Sequence, residues 1–417
     1  MTTANEQLDV AIVGAGAAGL MAAIWAGRTA PGLRLVALDG AARLGAKILI
    51  AGGGRCNVTH DVVEADAFAG STRPAIRKVL RRFDVPATVA FFRDLGVALK
   101  REPGGKLFPV SDRARTVLDA LVGAARAAGA ALRHPWRVEG VEPAGGGFRL
   151  SGPAGTLAAR RVVLATGGMS VPTTGSNGHG FEIARRLGHT VTPLFPALVP
   201  LRLPAGHPLT ALAGVSTEVL LGVESASGAR LASLGGSLLC THVGLSGPAV
   251  LDASRWWIGA RLRDPGARLV VCWLPGETTE SLDAWLRDLG AASPGRRLQE
   301  RLPQRLARAL CQQAGVDPSA PGHTLTRERR RALATALGAM VLPVTGDRGF
   351  RHAEATAGGV PLGELRLETM ESRLVPGLHC CGELCDVDGR IGGYNFQWAW
   401  ASGYVAGVGA ARARTAG

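Results

Sequence analysis

The sequence predicts an α/β protein of the Rossmann-like, doubly wound kind with a β-rich domain set into the middle of it, and three observations carry that prediction. Within residues 9–20 a glycine-rich turn joins an apolar, strand-like run to an alanine-rich helical run. A second apolar run, 33–38, ends in Asp39, about twenty residues beyond the last glycine of the turn, the distance at which such folds place an acid. From about residue 193 the texture changes to short alternating segments with turns, and glycine-rich apolar sequence returns in the last quarter of the chain.

The opening turn reads Gly14-Ala15-Gly16-Ala17-Ala18-Gly19. Gly14 permits a tight turn, Gly16 lets backbone approach a pyrophosphate, and Gly19 lets the helix pack on its strand, with the helix N–H groups facing the anion. Asp39 at the end of the second strand can accept from ribose hydroxyls. Residues 40–57 then read as a long glycine-rich loop carrying Arg43, Lys47, Gly54, Arg55, Cys56 and Asn57, whose charges and bare amides suit an extended phosphate-bearing cofactor. Helical runs alternate with loops over 73–129, a hairpin-like region spans 136–150, and a short buried strand, 161–165, closes on Thr166, Gly167 and Gly168.

The alternating segments up to Trp273 read as an antiparallel barrel or sandwich, and 276–340 as helical and charged, with arginine-rich runs at 296–308 and 327–331. Near the end come Gly382-Glu383, then Gly392-Gly393-Tyr394-Asn395-Phe396-Gln397 opening an alanine-rich helix. An acid at a strand end can hold a ribitol chain, and a glycine pair at a helix start can aim N–H groups at a flavin's pyrimidine edge. The domains are therefore expected at 1–190 (first part of an FAD-binding domain), 191–275 (inserted β-barrel) and 276–340 (helical subdomain). Residues 341–417 supply the return strand of the insert and the second part of the FAD-binding domain.

These residues together resemble a known family, the bacterial NAD(P)/FAD-dependent oxidoreductases that include HI-type flavoproteins, aminoacetone-oxidase-family FAD-binding enzymes and BaiN-like flavin reductases. The resemblance runs from residue 9 to about 408. Besides the opening turn it rests on Gly53-Gly54-Arg55-Cys56-Asn57-Val58-Thr59, Phe108-Pro109-Val110-Ser111-Asp112, Ala165-Thr166-Gly167-Gly168-Met169-Ser170, Thr241-His242-Val243-Gly244-Leu245-Ser246-Gly247-Pro248, and Gly382-Glu383 through Trp398. It implies a split, two-dinucleotide-type FAD domain interrupted by a β-barrel with a helical insertion. It also implies noncovalent FAD held by the opening turn, Asp39, Lys47, Arg55 to Asn57, the Val138 backbone, Thr166, Gly167, Glu383 and Gly393 to Gln397. The chain departs from the family pattern at His179, at Arg390-Ile391 and at Cys380-Cys381.

No second GxGxxG follows a strand, so the donor is expected either to bind transiently over the flavin, as NAD(P)H would, or to be the substrate itself. The flavin itself supplies the hydride chemistry. His242 and Tyr394 are the candidate catalytic groups, each weighed against a structural role. Cys380, Cys381 and Cys385 are read as small buried apolar residues or as a CxxxC dithiol, and no metal cluster is visible. The expected function is FAD-dependent oxidoreduction of a small molecule; an RNA-acting flavoprotein and a non-catalytic redox sensor stand as alternatives. The net charge of +14 comes almost wholly from scattered arginines, with lysine only at 47, 78, 100 and 106. Scatter of this kind speaks against nucleic acid, but the run through 296–331 keeps RNA open. Residues 1–8 lack a basic start and an apolar core, and no apolar stretch is long enough to span a bilayer, so a cytoplasmic protein is expected.

Overall fold

The computed structural model describes residues 7–412; the start of the chain, on which the reading of no export signal rests, and residues 413–417 lie outside the described residues. Two compact units emerge. Residues through Leu194 and from Ala355 onward form the first, and Phe195–Glu354 the second.

The first unit is built on parallel strands; Gln7–Val13, Leu35–Leu38 and Leu378–Cys380 are buried almost without interruption, as a sheet covered on both faces requires, and Gly155–Leu164 is buried at its carboxyl end. Gln7–Val13 pairs in parallel with Gly155–Leu164 on one side and Leu35–Leu38 on the other. Ala130–Arg133 lies beyond Leu35–Leu38, and Leu378–Cys380 beyond Gly155–Leu164. The register sets Val13 opposite both Leu38 and Leu164, and Leu164 opposite Cys380. The chain therefore leaves four neighbouring strands at one edge, with Gly14, Asp39, Ala165 and Cys381 as the first residues past it. The helix Ala17–Thr29 supplies the crossover from the first strand to the second and packs on the closing helix Tyr394–Arg412. The hairpin read over 136–150 is present as Gly140–Ala144 and Gly147–Gly152. The loop read over 40–57 is in part helical: Ala46–Gly54 starts as a helix and loses helical dihedrals from Ala51 through Gly53, where glycines in left-handed conformation end it.

In the second unit the alternating segments pair in antiparallel fashion. Seven strands follow the path Met340–Leu342, Arg268–Cys272, Ser216–Glu224, Arg230–Thr241, Gly244–Ser246, Leu201–Arg202 and Gly346–Asp347. Among the described residues no ladder joins the two ends of that path. The last two strands to form it in sequence, at 340–342 and 346–347, are the return of the insert, and the first unit resumes at Ala355. Three of the four α-helices within 276–340 start where hydroxyls cap them: Thr278 and Ser281 cap reciprocally, and Ser293 and Thr326 each accept from the amide three residues on, while Gln304–Gln313 starts after Pro303 without a side-chain cap. Leu282, Leu306, Leu310, Leu333 and Leu337 share one apolar core with Val219, Leu221 and Val271 of the sheet. The segment 276–340 is thus part of the unit's core rather than a subdomain with its own. Among the described residues no helix is long and apolar enough to cross a membrane.

Candidate active site

The carboxyl edge of the parallel sheet is where ligands sit in folds of this class, and Gly14, Asp39, Thr166, Gly167, Gly382 and Glu383 follow its strands closely. Gly14 has φ +100°, and a Cβ on it would stand 2.4 Å from the Ala165 carbonyl oxygen of the adjoining strand. Gly16, at the N-cap of Ala17–Thr29, is different: a Cβ there would meet nothing within 4 Å. Gly14 is thus demanded by the protein's own packing, whereas Gly16 faces open space beside a helix N-terminus that has no acidic residue in its first turn. Such a terminus is a ready anion site. Asp39 accepts from the Ala15 amide through Oδ2 and from the Ala41 amide through Oδ1, both at 2.8 Å, which fixes the carboxylate beside the turn. The Val138 main chain has no hydrogen-bond partner among the described residues. Arg43 is exposed.

A second cluster joins residues from three distant parts of the chain. Lys47 Nζ lies 2.8 Å from Glu383 Oε2 and 2.7 Å from Ser170 Oγ. Glu383 Oε1 accepts from Ser170 Oγ and from the Thr356 amide, while Thr356 Oγ1 accepts from the amides of Met169 and Ser170. Gly168 fits only because it is glycine, since a Cβ would lie 2.4 Å from Thr356 Oγ1. Burial pushes the Glu383 carboxyl up, but the Lys47 ammonium and the hydrogen bonds from Lys47, Ser170 and Thr356 outweigh it and hold the group below the ordinary glutamate range. Thr166 and Gly167 lie just past the strand end beside this cluster, with Gly167 at φ +73°. Ser170 and Thr356 did not stand out in the sequence; the available signal was a threonine set between alanines just before Gly358-Gly359.

At the start of the closing helix, Gly392 and Gly393 take φ +121° and +99°, and a Cβ on Gly393 would stand 2.6 Å from the Thr59 carbonyl carbon. Asn395 clamps Gly389 with both ends of its amide. Gln397 is buried, and its side chain is spent inside: Oε1 accepts from the Thr59 and Thr88 hydroxyls and Nε2 donates to the Phe83 carbonyl. That assigns the Gln397 side chain to holding the helix, not to a ligand. Phe396 stacks on Trp400. Tyr394 stacks on His60, ring centroids 5.0 Å apart, and meets Phe68 edge-on. His60, which sequence reasoning passed over although it follows the quoted Arg55-to-Thr59 motif, has Nε2 2.7 Å from the Gly104 carbonyl and Nδ1 accepting from the Val62 amide. In the adjacent loop Arg55 lies over the Phe108 ring and pairs with Glu102 at 2.7 Å; Gly54 is exposed, at φ +86°. Cys56, at φ +63°, is fully buried with its thiol pushed up to about 12 by burial, so it packs instead of reacting. Asn57 Oδ1 is buried without a hydrogen-bond partner.

These features fit a dinucleotide cofactor: the open approach over Gly16, the free Val138 main chain and the orphaned Asn57 oxygen each leave a polar or steric vacancy that such a group fills. Among the described residues no group of His, Cys, Asp and Glu is arranged to hold a metal. His242 belongs to the second unit, where His242 and Val243 form the two-residue loop between Arg230–Thr241 and Gly244–Ser246, closed by the Thr241 hydroxyl donating to the Gly244 carbonyl. His179, at the departure from the family pattern, has Nδ1 3.0 Å from Glu182 and Nε2 3.0 Å from the Glu139 carbonyl. Cys380, Cys381 and Cys385 are buried and free, and burial raises all three thiols, Cys380 to about 12. With almost no thiolate at neutral pH they have no dithiol chemistry to offer.

A Ser372–His189–Glu364 relay imitates a hydrolase triad, with Ser372 Oγ 2.8 Å from His189 Nε2 and His189 Nδ1 2.6 Å from Glu364. The Ser372 oxygen also accepts from the Leu374 and Val375 amides, so both lone pairs are engaged, and the residue is buried. It is a structural latch with no nucleophile.

Comparison with known proteins places this geometry. A family model described as HI0933-like protein Rossmann domain matches residues 8–409. The chain is 34% identical over 410 residues to a protein of Clostridium scindens named 3-dehydro-bile acid delta(4,6)-reductase, covering 96% of this chain and 98% of that one. It is 36% identical over 406 residues to an Escherichia coli protein named ribosomal RNA dihydrouridine synthase, covering 96% and 97%. Among solved structures, 3-ketosteroid delta1-dehydrogenase from Sterolibacterium denitrificans superposes with a TM-score of 0.52 at 14% identity, covering 98% of this chain and 100% of that one, a likeness of fold.

Proposed function

The chain belongs to the HI0933-like Rossmann family, and on that ground we propose the class of reaction it carries out. It is an FAD-dependent oxidoreductase that saturates a carbon–carbon double bond conjugated to a carbonyl. The observation that carries the cofactor assignment is the open space over Gly16 at an uncompensated helix N-terminus, on the same sheet edge as Asp39 and the Lys47–Glu383 pair. The reaction class is supported by what the two relatives' names have in common. A 3-dehydro compound with 4,6 unsaturation and a uracil ring are unlike in shape, yet each presents an electron-poor double bond in conjugation with a ring carbonyl.

FAD bound here and reduced by two electrons from NAD(P)H would supply the hydride and return to the oxidised state. The chain's own residues do the rest. The turn from Gly14 to Gly19 would hold the pyrophosphate, Asp39 the adenosine ribose, Glu383 with Lys47 the ribityl chain, and the main chain of Gly393 to Asn395 the pyrimidine edge of the ring. Saturating a conjugated bond also requires one proton at the carbon next to the carbonyl. Tyr394, which stands in the unit that carries the cradle, is the first candidate donor, and His242 in the insert is the second.

A second reading differs only in substrate: the double bond is that of a uracil ring within RNA. The relationship to the E. coli dihydrouridine synthase and the net charge of +14 favour it. The test of the reaction class is to precipitate the purified protein with acid, identify the released flavin, and then reduce intact protein anaerobically with NADPH or NADH before adding a 4-en-3-one steroid or a uridine-containing RNA. Release of FAD and reoxidation of the flavin, with loss of the conjugated absorbance, is expected. Release of FMN or of no flavin, or a reduced flavin that persists with every conjugated carbonyl offered, overturns the proposal.

A further inference from the structure

We propose that the basic face of the helix Arg73–Leu80, with the turn that follows it, is a docking surface for the phosphate backbone of RNA; this rests on the uracil-in-RNA reading above. The helix is sharply two-sided. Ile76, Val79 and Leu80 are buried, while Arg73, Arg77, Lys78, Arg81 and Arg82 are exposed. Four of these cations, with Pro74, line one open cleft of about 420 Å³.

The protein's own energetics do not account for this convergence. Cations in the last turn of a helix are stabilised by the dipole, which covers Arg77 and Lys78. Arg73 stands at the opposite end, where the dipole opposes a cation, and the first turn holds no acid to offset it. Arg73 with Arg77, and Arg77 with the C-cap Arg81, are like charges four residues apart, a spacing that destabilises a helix, and Arg82 adds a further cation in the turn that follows. Neutralisation is partial: Asp66 lies 3.6 Å from Arg73 and 3.9 Å from Arg77, and Glu368 bonds Lys78. Among the described residues neither Arg81 nor Arg82 has an ion pair. Of the four cations in the cleft, Arg81 and Arg82 are thus left without an ion-pair partner, and Arg77 shares Asp66 with Arg73.

An arginine fork matches the paired oxygens of a phosphate diester, and several forks in a row match a chain of them. The cleft lining contains no aromatic ring on which a base could stack, so the surface reads backbone and not sequence, and it would position an RNA whose uracil is selected elsewhere. Arginines 327–331 of the insert are the competing surface. There Arg330 is already committed to Asp283 at 2.8 Å, while Arg329 and Arg331 are exposed.

The test measures binding of a fluorescein-labelled, uridine-bearing RNA hairpin to FAD-loaded full-length protein across a range of salt. Wild-type binding should fall steeply with salt. The pair R81E/R82E should weaken it at least tenfold and reduce the slope of log K against log salt by about two, one per lost phosphate contact. FAD content and the rate of reoxidation by a small enone should stay as in wild type. The milder pair R81Q/R82Q should fall between, and R126E/R185E, an equal charge change on exposed residues elsewhere, should bind as wild type. If R81E/R82E binds as wild type while R329E/R331E weakens binding, the cleft is not the docking surface and the RNA reading stands. If wild-type protein that reduces a small enone shows no salt-dependent RNA binding, the RNA reading itself falls and takes this proposal with it.

Discussion

Gly14 and Gly16 stand two residues apart in one turn, yet a side chain at each would meet different things, and this separates folding from loading. A valine at Gly16 enters open space, so the variant should unfold within a degree or two of wild type while emerging from purification without flavin, read by the ratio of visible to ultraviolet absorbance. Alanine at Gly14 instead combines a positive φ with a Cβ 2.4 Å from a backbone oxygen, and should cost on the order of 1–3 kcal/mol of stability or more in denaturant titration. Lys47→Met tests the electrostatic pair. In wild type the Glu383 carboxyl titrates below its unfolded value, so its contribution is complete above the ordinary glutamate range of about 4.3 and is lost as pH falls through the lowered folded value. Without the ammonium, burial dominates and the sign reverses. The variant should be destabilised by roughly 2 kcal/mol at pH 7, less than the ~3–5 kcal/mol of a fully buried pair because both side chains keep some exposure, and the deficit should shrink as pH falls toward 5. Thermal melts of both proteins across that range check it.

The carboxyl edge of the parallel strands was largely legible because its signals are local: a turn, a strand and an acid follow one another within 9–39, Gly14 is required by the neighbouring strand, and Gly19 by the Gly14 carbonyl. What stayed hidden depends on partners far off in sequence. Gln397 looked like a cofactor contact because it sits in a glycine-rich helix start, but its partners Thr59 and Thr88 lie 338 and 309 residues away. Gln397→Leu should accordingly leave those hydroxyls and the Phe83 carbonyl unpaired in a buried site, costing about 2–4 kcal/mol in denaturant unfolding, while any folded protein keeps its flavin spectrum. Ser170 and Thr356 were missed for the same reason. The helical segment 276–340 was legible as helix but not as part of a shared core, since periodicity reveals a buried face without saying what covers it. The cysteine question also resolves at this level: Cys380 lies in a buried strand and Cys381 and Cys385 close behind it, so a disulfide-exchange reagent such as DTNB should label no thiol of the native protein rapidly and all seven after denaturation.

At the scale of the whole molecule the first unit has its own continuous apolar core, drawn from both ends of the chain. Replacing 195–354 by a glycine–serine linker should therefore leave a protein that folds and retains FAD but no longer turns over substrate; loss of FAD along with the insert would place part of the cofactor's hold in the second unit. The parallel pairing of Leu378–Cys380 with Gly155–Leu164 has a further consequence, this time for synthesis. At translation rates of about 5–20 residues per second, the later strand leaves the ribosome roughly 10–40 s after the one it must join. For that interval the nascent chain carries the Val162–Leu164 end of its strand as an open sheet edge, since Gly155–Ala159 is already covered by Gly147–Gly152, and Lys47 waits for a carboxylate that has not yet been made. The insert, encoded in one uninterrupted stretch, can complete its fold meanwhile. A ribosome stalled near residue 395, with the insert through Glu354 outside the exit tunnel and Leu378–Cys380 still within it, should thus present a protease-resistant insert attached to a protease-sensitive half-domain, and flavin capture should be among the last events before release.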